Sequence, residues 1–375
     1  MKWRVVKLGA LYEVHNGLSK SRESFGSGFP FLSYSTVFNN FFLPNQLDSL
    51  VRTDDKEQAS YSILKGDVFI TRTSETSNEL GMSCVALNDY PCATYNGFCK
   101  RLRPITEEVY PRYIGYYLRS PEFRSRFDGL GAAMITRASL KNEALLAMTV
   151  RLPPLPIQQK IADILGAYDD LIENNRRRIE LLEKMARELY RERFVRREPK
   201  SSPCKLGELI EVCYGKDHKK LLAGEVPVYG SGGIMRNVDR ALYSGEAILI
   251  PRKGTLNNVM YVNGDFWTVD TMFYAKPKNW YVAPYVYQLL SSMNLMTFNS
   301  GTAVPSMTTE ILNSMPVLLP EEEHLRAYAG MFGVMFSERI LLESQNRNLV
   351  KQRDRLLPRL MSGKIELDKL VKEAE

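Results

Sequence analysis

The sequence has little cysteine and histidine, and neither residue occurs in a metal-binding spacing. The 375 residues include five cysteines and three histidines. No two cysteines form a Cys-x-x-Cys pair and the histidines lie far apart along the chain, so neither a disulfide framework nor a structural zinc site is predicted. We therefore expect reduced thiols, no bound metal and a cytoplasmic location.

Long apolar runs are missing as well. No stretch reaches the roughly 18 apolar residues that a membrane-spanning helix needs. No apolar segment follows the charged N-terminus in the way that a secretory signal requires. We expect neither feature in this chain.

The sequence motifs of common catalytic sites are also absent. There is no Gly-x-x-x-x-Gly-Lys-[Ser/Thr] loop, and Met235 stands where the glycine cluster beginning at Gly230 would need the last glycine of a dinucleotide motif. The Asn-Pro-Pro-aromatic tetrapeptide, the usual catalytic loop of enzymes that methylate exocyclic amines, is missing. The motifs Gly-x-Ser-x-Gly and His-Glu-x-x-His are missing as well. Glu198-Pro199-Lys200 resembles half of a metal-dependent nuclease site, but it has no evident strand or upstream aspartate beside it. We predict no catalytic residue and no cofactor in this chain.

What the sequence does have is a modest excess of positive charge and enough apolar residues to form cores. Fifty Lys and Arg against 43 Asp and Glu give a formal charge of +7, and 44% of the residues are hydrophobic. A polyanionic partner fits this excess, and so does simple solubility. The length predicts two or three domains.

The chain repeats itself in three blocks that occur in the same order. Residues 7–17 and 205–215 share seven of eleven residues. The segment from Gly66 to Arg72 is matched by the segment from Gly245 to Arg252, and Met148–Pro153 is matched by Met315–Pro320. Because three matching blocks in the same order would rarely arise by chance, we predict two copies of one domain.

Each copy ends in a long stretch with coiled-coil spacing. Pro156 can serve as a first-turn residue, and residues four and three positions apart then form a seam. We predict one long helix over residues 154–198, about 50 Å from Ile161 to Phe194, and a second over residues 321–375. The alternative is two surface helices that pack only on their own domains. The seams are Ile161, Leu165, Tyr168, Ile172, Asn175, Ile179, Leu182, Ala186 and Leu189, and then Tyr328, Phe332, Met335, Arg339, Leu342, Asn346, Leu349, Arg353, Leu356 and Leu360.

The segments before the two long helices have the composition of short strands. They are rich in Phe, Tyr, Val, Ile and Thr and are broken by Gly, Asn, Pro and Asp. The predicted strands include Asp67–Thr71, Ala247–Ile250, Asn258–Val262 and Trp267–Tyr274. We therefore predict the α+β class, with a globule at residues 1–153 and another at residues 199–320, each followed by its long helix.

In each globule, basic residues mix with Ser, Thr and Asn directly after an apolar strand. Arg can bind guanine edges and Asn adenine edges, whereas Lys, Ser and Thr suit phosphate oxygens. Gly254 would let the backbone approach a duplex closely. Such clusters are often only solvated loops, but their equivalent position in both copies favours a binding role. The candidate DNA-binding residues are Arg72, Thr73, Ser74, Asn78 and Arg137 in the first globule, and Lys216, Lys219, Lys220, Ser231, Arg236, Asn237, Arg252, Lys253, Thr255, Asn257 and Asn258 in the second.

Three longer segments of the sequence resemble the specificity subunits of type I restriction-modification systems. Residues 152–165, from Leu152-Pro153-Pro154 through the start of the seam, resemble the central region of those subunits. Residues 228–273 resemble one of their target-recognition domains, and residues 356–365 resemble their distal end. The similarity covers nearly the whole chain.

This resemblance implies a DNA-binding subunit without a catalytic centre. It implies two target-recognition domains joined and spaced by an antiparallel coiled coil, with a pseudo-two-fold relation that matches the dyad of duplex DNA. Two modification subunits would carry the methyltransferase activity and S-adenosylmethionine, and two restriction subunits would carry the ATP-driven translocase and the nuclease. The unequal globules would then read an asymmetric, bipartite site with an unread spacer.

Two other functions remain open on the sequence. An autonomous DNA methyltransferase or endonuclease would show activity as a purified single chain. A coiled-coil adaptor that binds only proteins would show no salt-dependent affinity for DNA.

Overall fold

The computed structural model describes residues 3–74, 79–127, 138–298 and 306–365. Tertiary contacts divide the chain into two units. Unit 1 comprises Met1–Asn174 and Asn346–Glu375, and unit 2 comprises Asn175–Gln345. Among the helices of the described ranges, none is both long and apolar enough to cross a membrane.

Unit 1 combines small sheets with short helices. The strands are β1 (Arg4–Lys7), β2 (Tyr12–Asn16), β3 (Phe25–Leu32), β4 (Ser49–Val51), β5 (Val68–Thr71), β6 (Thr73–Ser74), β7 (Ser83–Val85), β8 (Thr94–Tyr95), β9 (Cys99–Pro104), β10 (Ala138–Ser139) and β11 (Thr149–Leu152). A four-stranded sheet has the order β2-β9-β5-β7, a three-stranded sheet has the order β4-β3-β8, and the strand pairs β1-β11 and β6-β10 lie outside them. The helices are α1 (Tyr34–Asn39), α2 (Asp55–Ser60), α3 (Pro111–Arg119), α4 (Pro121–Arg124), α5 (Asn142–Ala147) and the first part of α6 (Leu155–Tyr190).

Unit 2 contains a six-stranded sheet and a separate strand pair. The strands are β12 (Ser201–Lys205), β13 (Ile210–Tyr214), β14 (Val226–Gly230), β15 (Gly233–Val238), β16 (Tyr243–Pro251), β17 (Met260–Thr268), β18 (Met272–Pro277) and β19 (Pro316–Pro320). The sheet has the order β13-β18-β16-β17-β14-β15, and β12 pairs with β19. The helices are α7 (Leu206–Leu209), α8 (Ala283–Ser292), α9 (Thr309–Ser314) and most of α10 (Glu322–Met361). The predicted mixture of helices and strands in each copy, and with it the α+β class, is confirmed.

One predicted strand is wrong. Residues 267–274 do not form a single strand, because β17 ends at Thr268 and β18 begins at Met272. The N–H of Met272 donates to the Val269 carbonyl at 3.0 Å and closes a turn between them. The β-rich composition of this run concealed the turn.

The backbone hydrogen bonds of the two globules repeat pair by pair. In each globule the first strand pairs antiparallel with the last, as β1 with β11 and as β12 with β19. The predicted internal repeat is therefore confirmed at the level of single hydrogen bonds within each unit. The equivalent bonds are Leu8 N to Met148 O (2.8 Å) and Leu206 N to Met315 O (2.9 Å), Gly17 N to Cys99 O (3.2 Å) and Gly215 N to Met272 O (3.0 Å), and Leu140 N to Arg72 O (2.9 Å) and Met307 N to Arg252 O (3.0 Å).

Both predicted long helices are present, and every predicted seam residue is buried or half-buried. The first helix, α6, continues as a π-helical segment over Arg191–Arg196. The second, α10, ends shortly before Gly363, whose φ of +69° suits the turn that follows a helix. Both helices begin within a residue of the predicted positions, and each ends before the predicted boundary.

Polar seam residues bond the two helices within each unit. In unit 1, Arg353 donates to Asp169 at 2.5 Å and Asn346 donates to the Ile172 carbonyl at 3.3 Å. In unit 2, Arg339 donates to Glu183 at 3.1 Å and Tyr328 to the Ala186 carbonyl at 3.3 Å. In each unit, the partner on α10 comes earlier in the chain as the position on α6 advances, so the helix segments run antiparallel. Buried polar pairs of this kind fix the register of a coiled coil.

Candidate nucleic-acid interface

The candidate loop of the second globule, residues 252–258, is held in place by its backbone. The N–H groups of Arg252 and Lys253 both donate to the Thr271 carbonyl, at 2.9 and 3.2 Å. Lys253 also forms a β-bridge with Ser306. The loop is therefore fixed at its start, while Lys253 and Thr255 remain exposed.

The structure brings this loop against a second predicted segment, the turn at Ser231. The amide of Asn258 donates to the Ser231 carbonyl at 2.7 Å. Gly254 has a φ of +84°, and a Cβ there would come within 3.2 Å of Ser231 Oγ, so the tight approach favours glycine. The amide of Asn257 donates to Asn294 at 3.1 Å. Two of the predicted amides thus hold the protein's own loops together.

Arg252 has the geometry of a residue that can bind an external acceptor. Its guanidinium lies over the ring of Tyr214, 5.4 Å from the centroid, and donates to the Asp270 carbonyl at 3.3 Å. A guanidinium has five N–H donors in a fixed fork. The ring and the carbonyl orient that fork and leave donors for a partner.

The predicted basic stretch of the second globule divides into exposed lysines and one structural arginine. Lys216, Lys219 and Lys220 are exposed, and so is Asn237. Arg236 instead donates to His218 Nδ1 at 3.1 Å, to the His218 carbonyl, and to the Leu221 carbonyl at 3.2 Å. Arg236 therefore holds the lysine-bearing segment in position.

In the first globule, the matched residue Arg72 occupies the equivalent place. The N–H of Arg72 donates to the Phe98 carbonyl at 2.9 Å, just as Arg252 donates to Thr271. Thr73 and Ser74 form β6, which pairs with β10, and the Thr73 carbonyl accepts from Tyr34 at 3.0 Å. The remaining two predicted residues, Asn78 and Arg137, lie outside the described residues.

Sequence reasoning missed residues beside both arginines. Lys100 lies in the first globule, and its ammonium donates to Asn16 Oδ1 at 3.1 Å and to Asn142 Oδ1. Tyr214 lies in the second globule, under Arg252. The first repeat block already pairs Asn16 with Tyr214, one residue before Gly17 and Gly215, but no sequence signal pointed to Lys100.

Two copies of one α+β globule, each with a matched arginine directly after an apolar strand and each followed by a long helix, define a protein with two related but unequal candidate binding surfaces. Among the described residues, no cluster of three or more His, Cys, Asp or Glu could hold a metal ion.

Comparison with known proteins gives this architecture a family. The model of the type I restriction modification DNA specificity domain matches the chain twice, over residues 1–184 and 200–329. The MjaIX type I restriction enzyme specificity subunit of Methanocaldococcus jannaschii is 23% identical over 98% of this chain and 94% of its own length. The HindI specificity subunit of Haemophilus influenzae is 26% identical over 45% of this chain and 36% of its own length.

A solved structure shares the fold. The crystal structure of a type I restriction-modification S subunit from M. genitalium matches with a TM-score of 0.59 and 16% identity, covering 96% of both chains. The chain belongs to the type I restriction modification DNA specificity family and carries two copies of its domain.

Proposed function

We propose that the chain reads a bipartite, asymmetric DNA site, with one globule on each half, and positions separate modification and restriction subunits there. The observation that carries this proposal is that the two globules share one backbone frame but present different side chains from it. Arg72 is followed by Thr73-Ser74, whereas Arg252 is followed by Lys253-Gly254. Two identical DNA-binding globules suit a palindromic site, so two globules with different binding side chains suit an asymmetric site.

The loop chemistry of the second globule supports a DNA partner. The exposed Lys216, Lys219 and Lys220 suit phosphate oxygens, which fix the position of a protein on a duplex. Arg252, oriented by Tyr214, suits the paired acceptors of a guanine edge. Together they supply both a positioning and a reading contact.

We further propose that the chemistry lies in partner subunits. Two modification subunits would bring the methyltransferase activity and S-adenosylmethionine, and two restriction subunits would bring the ATP-driven translocase and nuclease. This chain would hold no cofactor of its own and would act in the cytoplasm, where the DNA is. Specificity subunits are named as such among the relatives, which supports this division of labour.

The experiment is to express the full chain with its modification subunit in a host that lacks DNA methylation, and to sequence the methylated bases. We expect one motif with two different half-sites and a constant spacer. A palindromic motif, or methylation without a motif, would contradict the proposal.

Two further measurements separate the rival functions. Incorporation of labelled methyl groups by the purified single chain would indicate an autonomous enzyme, and we expect none. Affinity for duplex DNA should fall steeply as salt rises, because phosphate contacts release counterions. An adaptor that binds only proteins would show no such affinity.

A further inference from the structure

Strand pairing in unit 1 places the Lys100 cation beside two residues that are distant from it in the sequence. Lys100 on β9 lies directly opposite Asn16 on β2 and Ile70 on β5. Arg72 directly follows β5, and its N–H continues the ladder between β5 and β9 by donating to the Phe98 carbonyl at 2.9 Å, so its side chain lies on the same face as that of Ile70. Arg72 is therefore the diagonal neighbour of Lys100, within reach of a long side chain.

Lys100 is a buried cation whose protein partners are neutral. It is only 5% exposed, and its ammonium bonds the side-chain oxygens of Asn16 and Asn142, the latter being the first residue of α5. Burial, with the Arg72 guanidinium beside it, lowers the pKa of Lys100. The Nε of Arg72 is itself buried and has no hydrogen-bond partner among the residues that the structure describes.

No carboxylate among the described residues forms an ion pair with either cation. The acids of this globule that do pair take other partners, as Glu57 does with Lys20 and Asp67 does with Arg103. Two like charges in a poorly solvated place repel one another, and a buried charge without a counter-ion is destabilising. A hydrogen-bond acceptor on a bound ligand would reduce both the repulsion between the two cations and the cost of burying their charge.

The equivalent place in unit 2 has different chemistry on the same frame. Tyr214 on β13 lies opposite Phe273 on β18, which lies opposite Ile250 on β16. The Tyr214 and Phe273 rings meet edge to face at 5.1 Å, and the Tyr214 hydroxyl lies 3.4 Å from the hydroxyl of Thr309, the first residue of α9. Both units have the arginine, but in unit 2 aromatic rings stand where unit 1 has the Lys100 ammonium and the Asn16 amide.

We propose that Arg72 and Lys100 form a cationic pocket that binds hydrogen-bond acceptors of DNA, and that only the first half-site is contacted in this way. The acceptors are phosphate oxygens or the O6 and N7 atoms of a guanine. Half-buried Arg72 is the outer donor and Lys100 the inner one. The inference rests on the DNA-reading function proposed above and names the chemistry that makes the two halves differ.

The test uses the full chain in complex with its modification subunit. Lys100→Met keeps the length of the side chain and removes the ammonium. Binding to a duplex that carries the wild-type motif should weaken roughly 5- to 150-fold, the range expected for a lost reading contact. Lys65→Met, at an exposed lysine of the same globule, is the matched control and should keep wild-type affinity.

The methylated motif distinguishes the two sources of acceptor. A guanine contact predicts relaxed sequence at one position of the first half-site. A phosphate contact predicts an unchanged motif, an equal loss on all sequences and a salt dependence smaller by about one charge. The second half-site should stay unchanged in both cases.

A second variant guards against misfolding. Arg72→Gln changes the half-buried member of the pair and should weaken binding in the same way, with a wild-type melting temperature. The inference is overturned if the wild type gives a bipartite motif but Lys100→Met and Arg72→Gln both keep its affinity and motif. A wild type that gives no bipartite motif would instead refute the proposed function, and the inference with it.

Discussion

Leu341 and Leu342 are neighbours on α10 that the fold places in opposite environments. Leu342 is 1% exposed, whereas Leu341 is 52% exposed. Leu342 lies between Arg339, which bonds Glu183, and Gln345, which bonds Asn175, so it faces the α6 segment of the same unit. Truncating a buried leucine to alanine costs about 2–5 kcal/mol. The same change at Leu341 should alter the free energy of unfolding by about 0.5 kcal/mol or less.

Comparing the two alanine variants by thermal unfolding isolates this packing. The change in helix propensity is the same at both positions and cancels. For a unit of this size each kcal/mol shifts the melting temperature by about 2–4 °C, so Leu342→Ala should lower it by roughly 4–20 °C and Leu341→Ala by about 2 °C or less. Equal small shifts would mean that α10 is solvated at Leu342 and that the seam does not pack as described.

Four further outcomes are expected. Ile172→Asp, at a residue 4% exposed, should destabilise the protein more than Ile179→Asp at a half-buried one, as measured by urea unfolding. Arg252→Ala should cost about 1–3 kcal/mol in binding and relax one position of the second half-site, read from the methylated motif. Burial raises the pKa of Glu246 to about 7, so the folded state binds the carboxyl proton more tightly than the unfolded state does. The stability that this proton contributes is complete below the pKa of the unfolded state and is lost as pH rises through about 7. Glu246→Gln should flatten that slope between about pH 4.5 and 7 in pH-dependent melting curves. Four residues inserted after Lys184 add about 6 Å of helix and should lengthen the spacer without altering either half-site, whereas an altered half-site with the old spacer would show that the helix does not set the spacing.

The long helices and the repeat were predictable because their signals are local. Spacing by four and three residues puts Ile161 and Leu165 on one helix face whatever they later contact, and both are fully buried. The repeat blocks around Gly17 and Gly215 were equally legible, because the same turn needs the same residue types in each copy.

The binding surface was predictable only in part. The sequence placed Arg72 and Arg252 correctly as equivalent residues, since each follows a matched apolar strand. It could not show that Arg236 holds the segment at His218, because that bond joins a strand, β15, to a segment 18 residues earlier in the chain. The turn inside residues 267–274 was also hidden, since the run has strand-like composition throughout.

By itself, the sequence determined the two-copy architecture, the helical seams and the family, because these depend on periodicity and on residues close together in the chain. Only the tertiary structure decided what each cation does. Lys100 bonds Asn16, 84 residues earlier in the chain, through a register set by the pairing of β2 with β9. Strand register between distant segments depends on how the whole sheet packs, so it is this packing that places Lys100 beside Arg72, where no carboxylate of the described ranges forms an ion pair with either cation.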